Sequence, residues 1–168
     1  MKQFNDIYQQ QYATVFRLVS KFTLGSHETD DIVQDVFVKL YLQMEAGVIV
    51  EYPKTWLYKV ATNACLNSIS RNKETHSIEN IEPLEVNVGD SIDEKIENEE
   101  QRLMLQNALL KLKENERAIV ILYSEGLSYK EIAEASGVRF SSIGKVLSRS
   151  LEKLKPLLKN QYYEMLNR

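Results

Sequence analysis

Among its 168 residues the chain has one cysteine, two histidines, three prolines, six glycines and one tryptophan, and each scarcity removes a class of protein. The lone Cys65 cannot form an internal disulfide, and His27 and His76 form no cluster at metal-ligand spacing. No metal site, cofactor or redox chemistry is therefore expected. So few glycines and prolines leave little room for a turn-rich all-β fold. The longest apolar stretches, such as Ala118 to Tyr123, fall far short of the ~20 residues that span a bilayer. The N-terminus, Met1-Lys2-Gln3-Phe4-Asn5-Asp6, has no apolar segment of secretory type. A cytoplasmic chain without membrane insertion is expected. What is present, 43% apolar and 27% charged residues, suffices for one sizeable core or two small ones.

A net charge of -3 is unpromising for a nucleic-acid binder, but it averages over unlike segments. Residues 1–73 hold eight Lys and Arg against seven Asp and Glu, residues 74–100 hold one against ten, and residues 101–168 hold twelve against seven. The acidity is concentrated in the middle, and the C-terminal third is basic. Net charge alone misleads here.

Helical spacing of apolar residues dominates outside the middle. Ile7, Val15, Phe16, Leu18, Val19 and Phe22 predict a first helix that closes at Leu24-Gly25, with glycine at the left-handed position after the helix. A second starts near Ser26 to Thr29, with Glu28, Asp30 and Asp31 favouring its N-terminus. Its stripe runs through Ile32, Val33, Val36, Phe37, Leu40, Tyr41 and Met44. Pro53 suits the first turn of a third helix, which is expected to bury Trp56, Leu57, Val60, Ala61 and Ala64. From Asn72 to about Ser91 the pattern fails. A structureless loop of roughly 20 residues argues for two domains rather than one. Helical spacing resumes through Ile92, Ile96, Leu103, Leu105, Leu109 and Leu112, then Ala118 to Leu122, with two short segments at Tyr129 to Ser136 and Ser141 to Leu154. The fold class is all-α: two small helical domains, residues 1–72 and 93–168, joined by a flexible acidic linker, residues 73–92.

The stretch from Ser128 to Leu147 has the spacing of a helix-turn-helix. Ala133 is small where the two helices approach. Gly137 can take the positive φ of the turn, and Ile143 and Leu147 face back into the core. Ser141 or Ser142 can cap the second helix, along which Lys145, Arg149 and Lys153 recur every four residues. Such hairpins also occur in proteins that never touch DNA. If Arg139, Lys145, Arg149 and Lys153 all engage phosphates, counterion release weakens binding on the order of a hundredfold between about 50 and 200 mM salt.

On the third helix, Lys59, Asn63, Asn67 and Arg71 recur every four residues, with Thr62 and Ser70 beside them. Amides and hydroxyls do not favour an exposed helix, but they can read base edges or hold an unstacked base. A merely solvated face is the plain alternative. Trp56 and Tyr58 can stack on bases, though Trp56 falls on the apolar stripe. On the second helix, Val38 and Leu42 point away from the core among Asp31, Gln34, Asp35 and Lys39, which suits docking of a basic partner. The carboxylates Asp30, Asp31 and Asp35 lack further converging metal ligands.

With these blocks placed, the chain resembles bacterial RNA polymerase sigma factors of the extracytoplasmic function (ECF) subfamily. Asp30 to Tyr41 is similar to the family's polymerase-binding helix, Thr55 to Asn67 to the helix that recognises the minus-ten element, and Glu116 to Ala133 with Leu147 to Leu154 to the reader of the minus-thirty-five element. The resemblance implies a non-enzymatic transcription initiation factor that directs core RNA polymerase to promoters. It implies that Asp31, Gln34, Asp35, Val38 and Leu42 face the β′ clamp helices, and that Lys59, Asn63, Asn67 and Arg71 contact minus-ten DNA, Asn63 helping to hold a flipped base. Arg139, Ser142, Lys145, Ser148 and Arg149 would contact the minus-thirty-five groove and its phosphates. Core polymerase, including its β flap, promoter DNA and an anti-sigma factor are the implied partners, with the acidic linker in the RNA-exit channel or serving only as a spacer. Gly144 and Val146 stand where the family often has basic residues, and Glu114 replaces a frequent proline. A stand-alone helix-turn-helix regulator and an all-helical adaptor are the competing functions.

Overall fold

The computed structural model describes residues 2–75 and 92–166, with side chains over residues 3–71 and 101–159. The acidic segment 76–91, and with it the role suggested for the linker, lies outside the described residues. Among the described residues seven helices follow in order: α1 (Lys2–Thr23), α2 (Glu28–Glu45), α3 (Pro53–Thr75), α4 (Ile92–Leu110), α5 (Glu114–Ser124), α6 (Tyr129–Ser136) and α7 (Phe140–Leu166). The described residues contain no strand, and no helix among them is long and apolar enough to cross a membrane. The all-α expectation holds.

α1, α2 and α3 pack on one another through Val15, Leu18, Val19 and Phe22 of α1, Ile32, Val33, Val36, Phe37 and Leu40 of α2, and Leu57 and Ala61 of α3, all buried. Tyr41 and Met44, expected on the α2 stripe, are not fully buried: Tyr41 is exposed and meets Phe4 edge-on, ring centroids 5.4 Å apart. The first helix closes one residue earlier than expected. Leu24 takes the first left-handed position, with φ of 57°, and Gly25 follows with the expected left-handed φ of 75°, its amide donating to the Ser20 carbonyl at 3.1 Å. A leucine there costs roughly 1–2 kcal/mol, which burial of its side chain offsets, while its carbonyl accepts from the Gln106 amide at 3.1 Å. Neither Ser26 nor His27 caps α2 through its side chain. His27 occupies the cap position without such a bond, and the neighbouring Thr23 and Thr29 hydroxyls pair at 2.6 Å instead.

The C-terminal four helices build on buried Ala118, Ile119, Ile121 and Leu122 of α5, Ile132 and Ala135 of α6, and Ile143 and Leu147 of α7. Glu114, in place of proline, opens α5, where the Glu116 carboxylate accepts the Lys113 amide at 3.1 Å. The helix expected to stop at Leu154 runs on to Leu166, because Leu154, Leu157 and Leu158 pack with Ala108, Leu109 and Leu112 in a second apolar cluster. Leu103 and Leu105, expected on the core face of α4, are exposed. Ile92 and Ile96 have side chains outside the described set. The larger core is continuous across both halves, joining α1, α2 and α3 to α5, α6 and α7, with α6 lying between α3 and α7 and packing on each.

Candidate functional site

Three surfaces carry the residues singled out from the sequence. The first is α3. Lys59, Asn63, Asn67, Ser70 and Arg71 are exposed, as their four-residue spacing requires, and the Arg71 guanidinium turns back to the Asn67 carbonyl at 3.3 Å. The neighbouring aromatics reverse expectation. Trp56 is only half-buried at the edge of the core, whereas Tyr58 is 1% exposed and Thr62 fully buried. Helical geometry puts Thr55, Tyr58, Thr62 and Cys65 on one stripe, and this side of α3 faces α6. The sequence pattern cannot count α6 as a covering element, so on spacing alone Tyr58 and Thr62 fall among the groups available to bases. Tyr58 is thereby excluded from base stacking in this conformation. Burial pushes its hydroxyl up to about 12 and the Cys65 thiol likewise to about 12.

The second surface belongs to the helix-turn-helix of α6 and α7. Ser128 caps α6: its hydroxyl accepts the Glu131 amide at 3.3 Å, and the Glu131 carboxylate accepts the Ser128 amide at 2.8 Å. This reciprocal capping box is worth about 1 kcal/mol. The side-chain hydrogen bond from Ser128 leads the effects that hold the Glu131 carboxyl below its ordinary range. Gly137 has φ of 72° and closes α6 by donating to the Ala133 carbonyl at 3.0 Å, a conformation that other residues adopt only under strain. The cap expected from Ser141 or Ser142 is absent, because α7 starts at Phe140 and both serines lie inside its first turn. Arg139, Lys145, Ser148 and Arg149 are exposed and Ser142 is half-buried. A Cβ at Gly144 would meet a Tyr129 ring carbon at 3.4 Å, an ordinary contact, so packing does not demand this glycine.

Lys153 departs from the expected basic stripe. Its ammonium donates to the Glu116 carboxylate of α5 at 2.6 Å, a bond that leads in holding Glu116 below the usual carboxylate range. Three cations then remain for phosphate: Arg139, Lys145 and Arg149. The expected loss of DNA affinity from about 50 to 200 mM salt falls accordingly from about 150-fold to about 40-fold for this surface, at roughly 0.9 log units per phosphate contact. Lys153→Ala should leave the salt slope of binding to minus-thirty-five duplex unchanged, whereas Arg149→Ala should flatten it by about one contact, as read by fluorescence anisotropy across a salt series.

The third surface lies on α2. Asp31, Gln34 and Asp35 are exposed, and beside them Val38 is 48% and Leu42 59% exposed. These five form the expected patch. The structure adds a wall that the sequence reading missed: Phe4, Tyr8 and Tyr12 of α1 join Val33, Phe37 and Tyr41 around a cleft of about 470 Å³. Phe4, Tyr8, Tyr12 and Phe16 recur every four residues, with successive ring centroids 6.0, 5.2 and 6.1 Å apart. That spacing was the available signal. It stays hidden because Tyr8 and Tyr12 read as the polar side of an amphipathic helix. An apolar cleft with Asp30 in its lining, beside the exposed Asp31 and Asp35, suits an amphipathic, basic protein segment.

Comparison with known proteins follows this geometry. The family model described as Sigma-70 region 2 matches residues 7–75, and that described as Sigma-70, region 4 matches residues 102–154. The ECF RNA polymerase sigma factor SigW of Bacillus subtilis (strain 168) is 26% identical over 165 residues, covering 92% of this chain and 87% of its own. The ECF RNA polymerase sigma factor SigM of the same organism is 27% identical over 156 residues, covering 91% and 93%. Among solved structures, the sigma factor RpoE in complex with the anti-sigma factor NepR from Bartonella quintana superposes with a TM-score of 0.72 at 21% identity, over 95% of this chain and 98% of that one. That likeness shows a shared fold.

Proposed function

The chain belongs to the sigma-70 family, as an ECF sigma factor, and we propose that its three surfaces divide the work of transcription initiation among them. The protein binds core RNA polymerase and directs it to promoters. Residues 1–72 are the polymerase-binding and minus-ten unit, residues 73–92 the linker, and residues 93–168 the minus-thirty-five unit. Asp31, Gln34, Asp35, Val38 and Leu42 receive the β′ clamp helices. Support for this comes from the joint exposure of two aliphatics and three polar groups on one helix face. Lys59, Asn63, Asn67 and Arg71 contact the minus-ten element, and Arg139, Ser142, Lys145, Ser148 and Arg149 the minus-thirty-five element. The observation that carries the reading is the pairing of a capped, glycine-closed helix-turn-helix with a second exposed polar helix face in one chain.

Each DNA surface alone is small, so specificity arises from holding both on one polymerase, where the second contact becomes effectively intramolecular. Polymerase performs the chemistry, and the factor works beside it in the cytoplasm, with the β flap holding the C-terminal unit. An anti-sigma factor is a further partner class, since the Bartonella sigma factor of like fold was solved bound to one. The test is reconstitution: purified chain added to core polymerase should give run-off transcripts from a cognate promoter that core polymerase alone does not produce. A chain that binds promoter duplex tightly without polymerase, and adds no transcript with it, would instead be a stand-alone regulator.

A further inference from the structure

The second helix of the helix-turn-helix opens on an apolar group. Phe140 is the first residue of α7 and is 62% exposed, while the exposed side chains that follow it along the helix, Ser141, Lys145, Ser148 and Arg149, are all polar. The next exposed apolar side chain on the described part of α7 is Leu151, three turns further on. Neither apolar cluster of the described residues includes Phe140, so the ring does not serve the core. A single exposed hydrophobe is ordinary on a protein surface. The position of this one is not ordinary, because the N-terminal residues of such a helix are those that meet base edges in the major groove. Arg139, next to it, is exposed and suited to hold the flanking phosphate.

Gly144 leaves the same ring uncovered. It lies one turn after Phe140 on the same face of α7. Helical side chains lean toward the N-terminus, so a side chain at 144 would lie over the turn that carries Phe140. Only proline is a poorer helix former than glycine, and packing does not call for it: a Cβ at 144 would meet the Tyr129 ring at 3.4 Å, an ordinary contact. A bare position without a packing cause suits close approach of a ligand to the backbone. The result is a shallow apolar notch at the tip of α7, with the Phe140 ring at one end, the Gly144 backbone as its floor and Tyr129, 41% exposed, at its side.

Major-groove base edges present hydrogen-bonding groups and one apolar group, the C5-methyl of thymine. Lys145 and the serines can address the former. A phenyl ring has no hydrogen bond to offer and gains only from the methyl. We propose that Phe140, in the space left by Gly144, selects thymine at one position of the minus-thirty-five element by packing on its C5-methyl group. This rests on the reading of α7 as the minus-thirty-five helix and adds to it a residue that sets base preference.

Uracil pairs as thymine does and differs in this groove by lacking the methyl group, which isolates the contact. Holoenzyme reconstituted from core polymerase and the full chain is used to select active promoters from a library randomised across the minus-thirty-five region. The unaltered chain should enrich thymine there, and Phe140→Ala should lose that enrichment at one position while keeping the rest. Phe140 is exposed, so its truncation opens no cavity. On the selected promoter, deoxyuridine in place of that thymine should lower run-off transcription at limiting holoenzyme about fourfold for the unaltered chain, as expected for one methyl group removed from water. The same replacement should leave Phe140→Ala unaffected. Gly144→Leu is an independent arm: it favours the helix, so the melting temperature should hold or rise while the thymine preference is lost. The contact is overturned if Phe140→Ala selects the same bases as the unaltered chain, if it weakens every promoter equally, or if deoxyuridine costs both chains the same. Should the unaltered chain enrich no base in this region, the reading of α7 itself fails and the thymine contact with it. An enriched element indifferent to Phe140 defeats the contact alone.

Discussion

Reversing the charges of Asp31 and Asp35 together, as Asp31→Lys with Asp35→Lys, is expected to weaken binding to core polymerase by about a hundredfold or more, because like charges set against a basic partner replace attraction by repulsion. Both carboxylates are exposed, so their loss removes no core packing. The two positions are not equivalent, however. Asp31 lies in the first turn of α2 with Glu28 and Asp30, where it also favours the helix N-terminus. A lysine there carries a stability cost of about 0.3–1 kcal/mol. Asp35 lies beyond that turn, so Asp35→Lys alone is the cleaner probe and should lose affinity without a fall in melting temperature. Surface plasmon resonance against immobilised core polymerase separates the effects. Unchanged affinity in the double variant would remove α2 from the docking surface and leave the aromatic cleft of Phe4, Tyr8 and Tyr12 as the face to test.

What the sequence made legible was whatever depends on neighbours along the chain. The α2 stripe from Ile32 to Leu40, Gly137 in its left-handed turn and the exposed ladder Lys59, Asn63, Asn67 are local patterns with local causes. What stayed hidden depends on partners far away. Tyr58 and Thr62 look solvent-facing until α6 covers them. Lys153 looks free until Glu116 of α5 takes it. Glu125 carries no signal at all in its own segment, since the Arg17 and Lys21 that pair with it stand on α1. At a helix end the same lesson holds: Leu24 joins Gly25 in the left-handed region, because tertiary contacts with α4 override the preference for glycine at the first of the two positions. The exposed leucines of α4 show the converse, because helical spacing marks an apolar face without saying how much of it will be covered.

Pairing Asn63→Ala with Arg149→Ala should abolish promoter-directed run-off transcription, with transcript below about 1% of the unaltered chain, while polymerase binding stays intact. Each side chain is exposed and stands on a different helix, Asn63 on α3 and Arg149 on α7, so neither substitution opens a cavity. A base-edge contact is worth about 1–3 kcal/mol, which makes each single variant about tenfold or more weaker. Sites this far apart with no shared partner combine nearly additively in free energy, so their losses multiply in transcript yield. That multiplication discriminates between readings. If both helices engage one promoter on one polymerase, the double variant should equal the product of the singles. If only the helix-turn-helix reads DNA, Asn63→Ala should be silent and the double variant should match Arg149→Ala. Wild-type transcription from the double variant would overturn both contact assignments, whereas an Asn63→Ala defect relieved on a template already melted at the minus-ten element would tie that residue to strand opening rather than to duplex recognition, since unpairing a base carries its own cost of a few kcal/mol.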